Sequence, residues 1–401
     1  MITVIGGVYD EICHEPQVRR TYGSGVRAAA VLGGCMDRLV TIADESSLEL
    51  VRSVLGPCTI EAAPRSRPVT FSYDTPVSPP RLDAHDADRR LTIPAVETDD
   101  ALIFGMVEGA ATVRCHRAVI DPQHSMSAGQ IAELVTADEL VVVANRREVL
   151  SLGTGTGVVE AAESLRSRLG ASAVVVKCGA LGALVVTEDG AVGIPVAATE
   201  AVFPIGSGDV FSAALAKAWF DGATIVEAAH AASLRTAGYC ATRQLGPVSI
   251  TETTEALPTA ESVENPPRIY VAASFSNPEQ RWAARTITAG IEDLGARAFY
   301  PLRDVGQVTN QRQTAAADLD GLAECDAVLL LADSARSGPH FEAGWAQHLD
   351  KPIVVVSTDP DPGRYTMLRG TGAEVVDDWS TAVYRVIWAA VRDRSRRSGD
   401  S

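Results

Sequence analysis

The most suggestive short motif in the chain is Gly206-Ser207-Gly208-Asp209, which precedes the apolar, helix-like stretch Val210–Trp219. Small residues at a helix start leave backbone N–H groups free, and the helix dipole favours an anion there. Asp209 would lie beside that anion hole, where a carboxylate can accept the proton of a hydroxyl group that attacks a phosphoryl group. The alternative is a tight turn in which Asp209 only caps the helix.

Two further motifs follow predicted strands. Asn145 and Glu148 come directly after the strand predicted at Leu140–Ala144, where their side chains could hold water molecules bound to Mg²⁺. Gly179 and Gly182 follow the next predicted strand and would let the backbone approach a ligand closely. The ordinary alternatives are a polar helix start for the first motif and a hairpin turn for the second.

The beginning of the chain offers a possible substrate side. Asp10 follows the first predicted strand, and Gly23-Ser24-Gly25 opens a helix of small residues. Taken in order, these motifs resemble the ribokinase or PfkB-like sugar and nucleoside kinases over residues 1–250.

That resemblance implies a role for each motif and ATP as the phosphate donor. On the catalytic side, the base would be Asp209, and the anion hole would be formed by Gly206, Ser207 and Gly208. The ATP site would include Gly179 and Gly182, and Mg²⁺ would be served by Asn145 and Glu148. The substrate site would include Asp10, Gly23 and Gly25. Two departures from the family pattern concern the substrate side. Phe203-Pro204-Ile205 replaces the usual Asp-Thr, and the segment around Arg27 lacks the usual Asn.

A second group of candidate residues lies near the C-terminal end. Asp318 and Asp326 flank a helix-like segment, and Asp318 is predicted near that helix's N-terminal end. Glu342 follows the strand predicted at Ala327–Ala332, close to the sheet edge where α/β proteins bind ligands. Two acidic groups beside one cleft suit cleavage at an anomeric carbon, with one attacking the carbon and the other managing a proton. Taken singly, each could be an ordinary surface carboxylate.

Over residues 268–390 the pattern resembles the nucleoside 2-deoxyribosyltransferases and related nucleotide hydrolases. The matching motifs are Ile269-Tyr270-Val271-Ala272, Tyr300-Pro301, Asp318-x3-Leu322-x2-Cys325-Asp326, Gly338-x3-Glu342-x-Gly344-x-Ala346 and Lys351-Pro352. The resemblance implies Glu342 as nucleophile, Asp318 as the group that positions or protonates the base, and Tyr270 as a pocket residue. Arg336 stands where the family usually has a sugar-binding Asp; with Ser337 and Gly338 it is predicted to bind substrate, including a 5′-phosphate.

The elements that must position these residues alternate between strands and helices, which predicts α/β domains with mainly parallel sheets. We expect a ribokinase-like three-layer α/β/α domain at 1–250, and then a linker at 251–267, which is rich in Thr, Glu and Pro. A smaller flavodoxin- or Rossmann-like parallel-sheet domain is expected at 268–395. Residues 68–77 alternate enough to predict a short edge strand or lid.

Composition narrows the function classes. A formal charge of −16 argues against a protein that mainly grips nucleic acid or an anionic membrane. The N-terminal segment lacks a signal-peptide pattern, and no apolar run approaches the ~18 residues of a membrane span. The seven cysteines are dispersed, which is typical of reduced thiols, so a cytoplasmic protein is expected. Both family resemblances imply a homo-oligomer that acts on small molecules.

These observations support three hypotheses. In the first, the chain phosphorylates a sugar or nucleoside and also cleaves or exchanges an N-glycosidic bond. In the second, a degenerate kinase domain binds a nucleotide and acts as sensor or scaffold for an N-glycosidase; the altered substrate side motivates it. In the third, both folds serve only as an assembly platform.

Overall fold

The computed structural model describes residues 1–84, 91–246, 256–257, 263–306, 310–333, 336–359 and 363–399. We call the described residues up to 246 the N-terminal part and those from 263 the C-terminal part. Most of the predicted linker therefore lies outside the described residues.

The N-terminal part alternates strands and helices. Its strands are β1 (Ile2–Ile5), β2 (Asp10–Cys13), β3 (Val18–Thr21), β4 (Met36–Ala43), β5 (Thr59–Pro64), β6 (Thr70–Tyr73), β7 (Arg81–Asp83), β8 (Leu91–Thr92), β9 (Val96–Phe104), β10 (Gly109–Ala110), β11 (Val113–Asp121), β12 (Val135–Asn145), β13 (Ala173–Lys177), β14 (Ala183–Thr187), β15 (Gly190–Ile194) and β16 (Val196–Ala197). Its helices are α1 (Gly23–Leu32), α2 (Glu45–Leu55), α3 (Ala128–Leu134), α4 (Arg146–Leu152), α5 (Val158–Leu169), α6 (Ser207–Phe220) and α7 (Ile225–Thr242).

Strand β17 (Ala256–Leu257) pairs with β16, and the C-terminal part follows it. The strands of that part are β18 (Arg268–Ala272), β19 (Arg297–Phe299), β20 (Ala327–Leu331), β21 (Ile353–Val356) and β22 (Glu374–Val376). Its helices are α8 (Pro278–Asp293), α9 (Pro301–Asp304), α10 (Gln311–Ala323), α11 (Ser337–His348), α12 (Thr366–Gly370) and α13 (Trp379–Gly399).

A nine-stranded sheet forms the centre of the N-terminal part, in the order β15-β14-β13-β12-β11-β9-β1-β4-β5. Neighbouring strands run parallel from β13 to β5, and only the pairs β13–β14 and β14–β15 are antiparallel. Central strands such as β13 are apolar on both faces, because helices cover both sides of the sheet. The carboxyl ends of the parallel strands therefore meet along one edge.

A small four-stranded sheet, in the order β3-β2-β6-β7, lies at that edge. The segment predicted as an edge strand or lid contributes β6, which pairs with both β2 and β7 and is thus an interior strand of this small sheet. Phe71 and Tyr73 of β6 line a cavity at the end of the main sheet.

The C-terminal part has a fully parallel five-stranded sheet in the order β19-β18-β20-β21-β22. In chain order this is 2-1-3-4-5, a doubly wound arrangement in which ligands bind where the strand order reverses, here between β18 and β20. Both sheets agree with the predicted α/β class. Helix α10 already begins at Gln311, so Asp318 lies in its second half, and the prediction of Asp318 near the helix N-terminus is wrong.

One cluster of buried apolar side chains runs through both parts. It joins the strands of the nine-stranded sheet to β18, β20 and helix α13, whose Tyr384 and Trp388 are buried. The two sheets therefore share a core instead of meeting only through a linker. Within the described residues, no helix has the length and apolarity that crossing a membrane requires.

Candidate functional sites

A polar cavity of about 270 Å³ lies between the small sheet and the carboxyl edge of the nine-stranded sheet. Asp209, Asn145 and Glu148 line it, together with Gly206 and Gly208. Most of the residues predicted for phosphoryl transfer thus come together at one site, because the ends of β12 and β13 and the start of α6 meet there.

Asp209 is held by two donors. Nη1 of Arg27 lies 2.5 Å from its Oδ2, and Nε2 of Gln123 donates to its Oδ1 at 2.6 Å. The Arg27 side chain is only 2% exposed, and it also pairs with the carboxylate of Glu11. Each carboxylate oxygen of Asp209 therefore accepts one hydrogen bond and keeps a lone pair for a further donor.

The start of α6 has the geometry of the predicted anion hole, with one exception. Gly206 has a φ of 81°, which a residue with a side chain adopts only at a cost. The N–H of Ser207 donates to the carbonyl of Pro204 at 2.9 Å, so it is already used. A Cβ at Gly206 would lie 2.2 Å from Cζ of Arg27, and one at Gly208 would lie 3.3 Å from Nζ of Lys177. Two cations therefore flank this helix start.

Lys177 belongs to a buried network below the cavity. Its Nζ lies 2.5 Å from Oδ2 of Asp121, which also accepts from the hydroxyl of Ser212 at 2.7 Å. Burial raises the pKa of Asp121 to about 6, although Lys177 opposes the rise. Burial works against the charge of Lys177, but Asp121 and Glu148 outweigh it and raise the pKa of Lys177.

Asn145 and Glu148 form a capping box at the start of α4. The side chain of Asn145 accepts from the N–H of Glu148 at 2.9 Å, and Oε2 of Glu148 accepts from the N–H of Asn145 at 2.7 Å. The other oxygen of Glu148 lies 2.8 Å from Nδ1 of His124. Burial favours a higher pKa for Glu148, but His124 and Lys177 outweigh it and lower that pKa.

Each of these oxygens accepts one hydrogen bond and keeps a second lone pair, so the contact with Mg²⁺-bound water stays a prediction. Over the described parts of the chain, no group of three or more His, Cys, Asp or Glu side chains could hold a metal ion.

Gly179 and Gly182 lie in the connection between the antiparallel strands β13 and β14, as the hairpin alternative predicts. Their φ angles of 58° and 81° explain the glycines. Both line a second cavity, which is apolar and has a volume of about 90 Å³. A Cβ at Gly179 would lie 2.7 Å from Cδ2 of Leu294, a residue of the C-terminal part.

Gly23 and Gly25 allow α1 to approach β1 closely. A Cβ at Gly25 would lie 2.7 Å from the carbonyl oxygen of Gly6, and Gly23 has a φ of 66°. Gly23 lines the polar cavity.

Asp10 is absent from the residues that line the polar cavity, whereas its neighbour Glu11 lines it. The Asp10 carboxylate instead accepts from the hydroxyl of Thr21 at 2.6 Å. Glu11 accepts from the N–H of Gly23 at 3.2 Å and pairs with Arg27. Asp10 and Glu11 are adjacent acidic residues of one strand, so their side chains point to opposite faces and only one of them can face the cavity. The sequence could therefore have indicated Glu11 as the alternative to Asp10 for the substrate site.

The C-terminal part brings Tyr270, Asp318 and Glu342 together. Tyr270 lies in β18, Asp318 in α10 and Glu342 in α11, around the point where the strand order reverses. Burial raises the pKa of Glu342 to about 7, the charge of Asp318 adds to that rise, and the neighbouring Tyr270 hydroxyl opposes it. Burial also raises the pKa of Asp318. Burial and the two carboxylates raise the pKa of Tyr270.

Polar atoms in this cluster have no partner. Oε2 of Glu342, Oδ1 of Asp318 and the hydroxyl of Tyr270 are buried and make no hydrogen bond of normal geometry with any described residue. A buried polar group without a partner costs roughly 1–3 kcal/mol. Buried polar atoms without a protein partner call for an explanation, and a catalytic role is one.

Arg336, Ser337 and Gly338 lie at the start of α11 and are exposed. The N–H of Arg336 donates to the hydroxyl of Ser274 at 2.9 Å, which fixes the backbone there. The first N–H groups of a helix have no intrahelical acceptors and favour an anion.

Several residues of these sites were not predicted. The sequence motifs predicted no role for six of them, namely Glu11, Asp121, Gln123, His124, Tyr384 and Trp388. Asp121, at the carboxyl end of β11, follows a buried strand as Asn145 does, and this position could have indicated it. Nothing in the sequence around Trp388 connects it with a cavity 200 residues earlier.

Comparison with known proteins supports the same division of chemistry. Residues 110–253 match the family model described as pfkB family carbohydrate kinase, and residues 269–377 match the one described as nucleoside 2-deoxyribosyltransferase. No curated protein sequence gives a match.

Solved structures similar to the chain are ribokinase-family kinases. Ribokinase from Thermotoga maritima is 19% identical, over 62% of this chain and 96% of that one, with a TM-score of 0.45. Aminoimidazole riboside kinase from Salmonella enterica is 15% identical, over 61% and 94%, with a TM-score of 0.46. Fructokinase from Vibrio cholerae is 18% identical, over 61% and 94%, with a TM-score of 0.45.

The two family matches confirm the resemblances predicted from the motifs. They indicate an enzyme with a PfkB kinase-family part and a nucleoside deoxyribosyltransferase-family part, which together support processing of nucleosides.

Proposed function

We propose that the C-terminal part cleaves the N-glycosidic bond of a nucleoside or nucleoside 5′-monophosphate, with Glu342 as nucleophile. The observation that carries this proposal is the buried Glu342 carboxylate, with one unpartnered oxygen and Asp318 and Tyr270 beside it. An unpaired carboxylate with a pKa of about 7 can exist in its charged form at neutral pH and can react at an electrophilic carbon.

In the proposed reaction, an oxygen of Glu342 bonds to C1′ of the sugar as the C1′–N bond to the base breaks. The bonding electrons pass to the base nitrogen, and Asp318 supplies its proton. The raised pKa of Asp318 keeps that proton available at a higher pH than usual. Water or a second base then releases the sugar from Glu342, so hydrolysis and base exchange share the first step.

We place a 5′-phosphate, where the substrate has one, at the start of α11. Arg336 is exposed there beside Ser337 and Gly338, and a guanidinium can donate two hydrogen bonds to a phosphate. This position supports a nucleotide substrate over an uncharged nucleoside.

For the N-terminal part we propose binding of a polyhydroxylated ligand, a sugar or nucleoside, in the polar cavity. Oγ of Ser24 and Oδ1 of Asp121 are buried without a hydrogen-bond partner among the described residues. Donors and acceptors of this kind suit sugar hydroxyls. Phosphorylation of that ligand by ATP, with Asp209 as base, would make the enzyme bifunctional.

One observation favours the alternative, in which the N-terminal part binds its ligand without phosphoryl transfer and acts as a nucleotide sensor or scaffold for the glycosidase. Arg27 and Gln123 each donate to one oxygen of Asp209. These two hydrogen bonds compete with a substrate hydroxyl for the same carboxylate.

The test is to incubate the purified full chain with a panel of nucleosides and 5′-monophosphates, with and without ATP and Mg²⁺, and to measure free base by chromatography. We expect base release by the wild type and by Glu324→Gln, an exposed carboxylate control, but none by Glu342→Ala. Release that persists in Glu342→Ala contradicts the role of Glu342.

Asp209→Asn, in the same assay, separates the two roles of the N-terminal part. A phosphorylated sugar or nucleoside product that disappears in Asp209→Asn supports bifunctional chemistry. Base release that responds to nucleotide without any such product supports the sensor.

A further inference from the structure

Helix α13 of the C-terminal part is bound into the N-terminal part by specific contacts. Nε1 of Trp388 donates to the carbonyl of Ala180 at 3.0 Å. The hydroxyl of Ser380 donates to the carbonyl of Val202 at 2.6 Å, and the N–H of Val202 donates to the hydroxyl of Thr381 at 3.0 Å. These bonds hold the helix against the β13–β14 connection and the segment that precedes α6.

The apolar cavity of about 90 Å³ lies beneath this helix. Tyr384 and Trp388 close it from the C-terminal side, and Gly182 and Phe211 line it from the N-terminal side. The two aromatic rings pack edge to face, with centroids 5.6 Å apart. Trp388 is 2% exposed, so both rings are part of the packed core.

The apolar cavity adjoins the polar cavity at the start of α6. Lys177 and Gly208 line both of them. A ligand that spans this point meets a cation and a helix N-terminus in the middle, hydroxyl-binding groups on one side and apolar walls on the other. A nucleoside diphosphate whose phosphates lie at this helix start can direct its flat heterocyclic base, carried on the ribose, toward the apolar cavity.

The apolar cavity is too small for that base while Tyr384 and Trp388 are in place. An engineered protein cavity of about 150 Å³ holds one benzene molecule, and a purine is larger than benzene. The aromatic side chains of α13 thus lie where the base of such a nucleotide belongs.

We propose that helix α13 gates nucleotide binding in the N-terminal part, because Trp388 and Tyr384 and the nucleotide base exclude one another from the apolar cavity. The same helix packs on β20 and β21, on the face of the C-terminal sheet opposite to Tyr270. A nucleotide that displaces Trp388 therefore also disturbs the packing beneath the proposed glycosidase site. ADP binding to the N-terminal part tests the gate without any measurement of base release.

The experiment measures ADP binding to the full chain by isothermal titration calorimetry, with Mg²⁺ present throughout. Trp388→Ala removes the ring that closes the cavity. Trp345→Ala is the control, since Trp345 is 36% exposed on α11, a helix on the other face of the C-terminal sheet. We expect Trp388→Ala to bind ADP at least about tenfold more tightly than the wild type, and Trp345→Ala to bind like the wild type.

Fluorescence keeps the proposal testable if Trp388→Ala does not fold. The emission of Trp388 is obtained as the difference between the wild type and Trp388→Phe, which keeps an aromatic ring in the cavity. We expect ADP to shift this difference emission toward that of an exposed indole. Equal ADP affinity in the wild type and folded Trp388→Ala overturns the proposal, as does binding that leaves the Trp388 emission unchanged or a complete lack of ADP binding in every variant.

Discussion

The guanidinium of Arg27 lies 2.5 Å from the carboxylate of Asp209, and the two residues are 182 positions apart in the chain. Arg27 lies in the segment where the kinase family usually has a sugar-binding Asn, and Asp209 is the predicted base. The pair therefore links two predicted features. Arg27 belongs to the substrate side, where this chain departs from the family pattern, and Asp209 belongs to the Gly206–Asp209 motif, where the chain agrees with that pattern.

Removing the Arg27 charge should destabilise the fold. Arg27→Met leaves Glu11 and Asp209 as neighbouring carboxylates without a cation, which costs about 3–5 kcal/mol in a buried site. Urea unfolding at pH 7 measures the free energy. Arg19→Met is the control: the Arg19 side chain is 75% exposed and lies 3.7 Å from Asp10, so we expect a loss below about 1 kcal/mol. Equal losses in the two variants would contradict a structural role for the buried pair.

Glu342 should make the folded state less stable as pH rises. Its folded pKa of about 7 exceeds the ordinary value of 4.5, so between these values the folded state holds a proton that the unfolded state has lost. Stability from this group therefore falls across that window, by about 1–3 kcal/mol in total. We expect Glu342→Gln to be more stable than the wild type at pH 8 and the difference to shrink by pH 4.5, as followed by urea unfolding. Glu279→Gln, at an exposed position, should show no such trend.

Asp318 should influence the titration of Glu342. When Asp318 is ionised, its negative charge helps to raise the pKa of Glu342. Asp318→Asn removes that charge, so the pKa of Glu342, followed by NMR of its carboxyl carbon, should fall. Base release should also slow by about 10²-fold or more, because the protonated form of Asp318 that donates to the base is lost. Asp320→Asn, an exposed neighbour on α10, serves as the control. A Glu342 pKa that is unchanged in Asp318→Asn would argue against electrostatic coupling of the two carboxylates.

Gly179 should prove important for contact between the two parts of the chain. Gly179→Ala places a Cβ 2.7 Å from Leu294 at a φ of 58°. Gly170→Ala is a matched control, because its φ is 61° and a Cβ there meets nothing within 4 Å. The control should lose about 1 kcal/mol from backbone strain alone. Gly179→Ala should lose a further 1–3 kcal/mol, roughly the cost of overpacking. Thermal unfolding of both variants gives the comparison, and equal losses would mean that Leu294 yields without cost.

Much of the architecture could be predicted from local pattern. The strand predicted at Ala327–Ala332 is β20, which ends one residue earlier, and the helix predicted at Val210–Trp219 lies within α6, because each is set by an apolar run or a helical period within its own segment. The glycines of the β13–β14 connection and the Asn145–Glu148 capping box follow from local backbone chemistry too. The family matches at 110–253 and 269–377 confirm the two family resemblances.

The choice between Asp10 and Glu11 was beyond local pattern. Both are acidic residues of the same short strand, and the strand's pairing in the small sheet decides which side chain faces the cavity. The start of α10 was missed because a polar first turn carries little hydrophobic period, which placed Asp318 too near the helix N-terminus.

By itself, the sequence determined which chemical groups are present, in what order, and on which kinds of strands and helices. Only the tertiary structure decided which of them are paired or unpaired. It joined Arg27 to Asp209 and set Trp388 against the connection that carries Gly179. It also left Oε2 of Glu342 and Oδ1 of Asp318 without hydrogen-bond partners among the described residues. The physical reason is that burial, charge pairing and cavity closure depend on residues far apart in the chain, whose meeting no local period records.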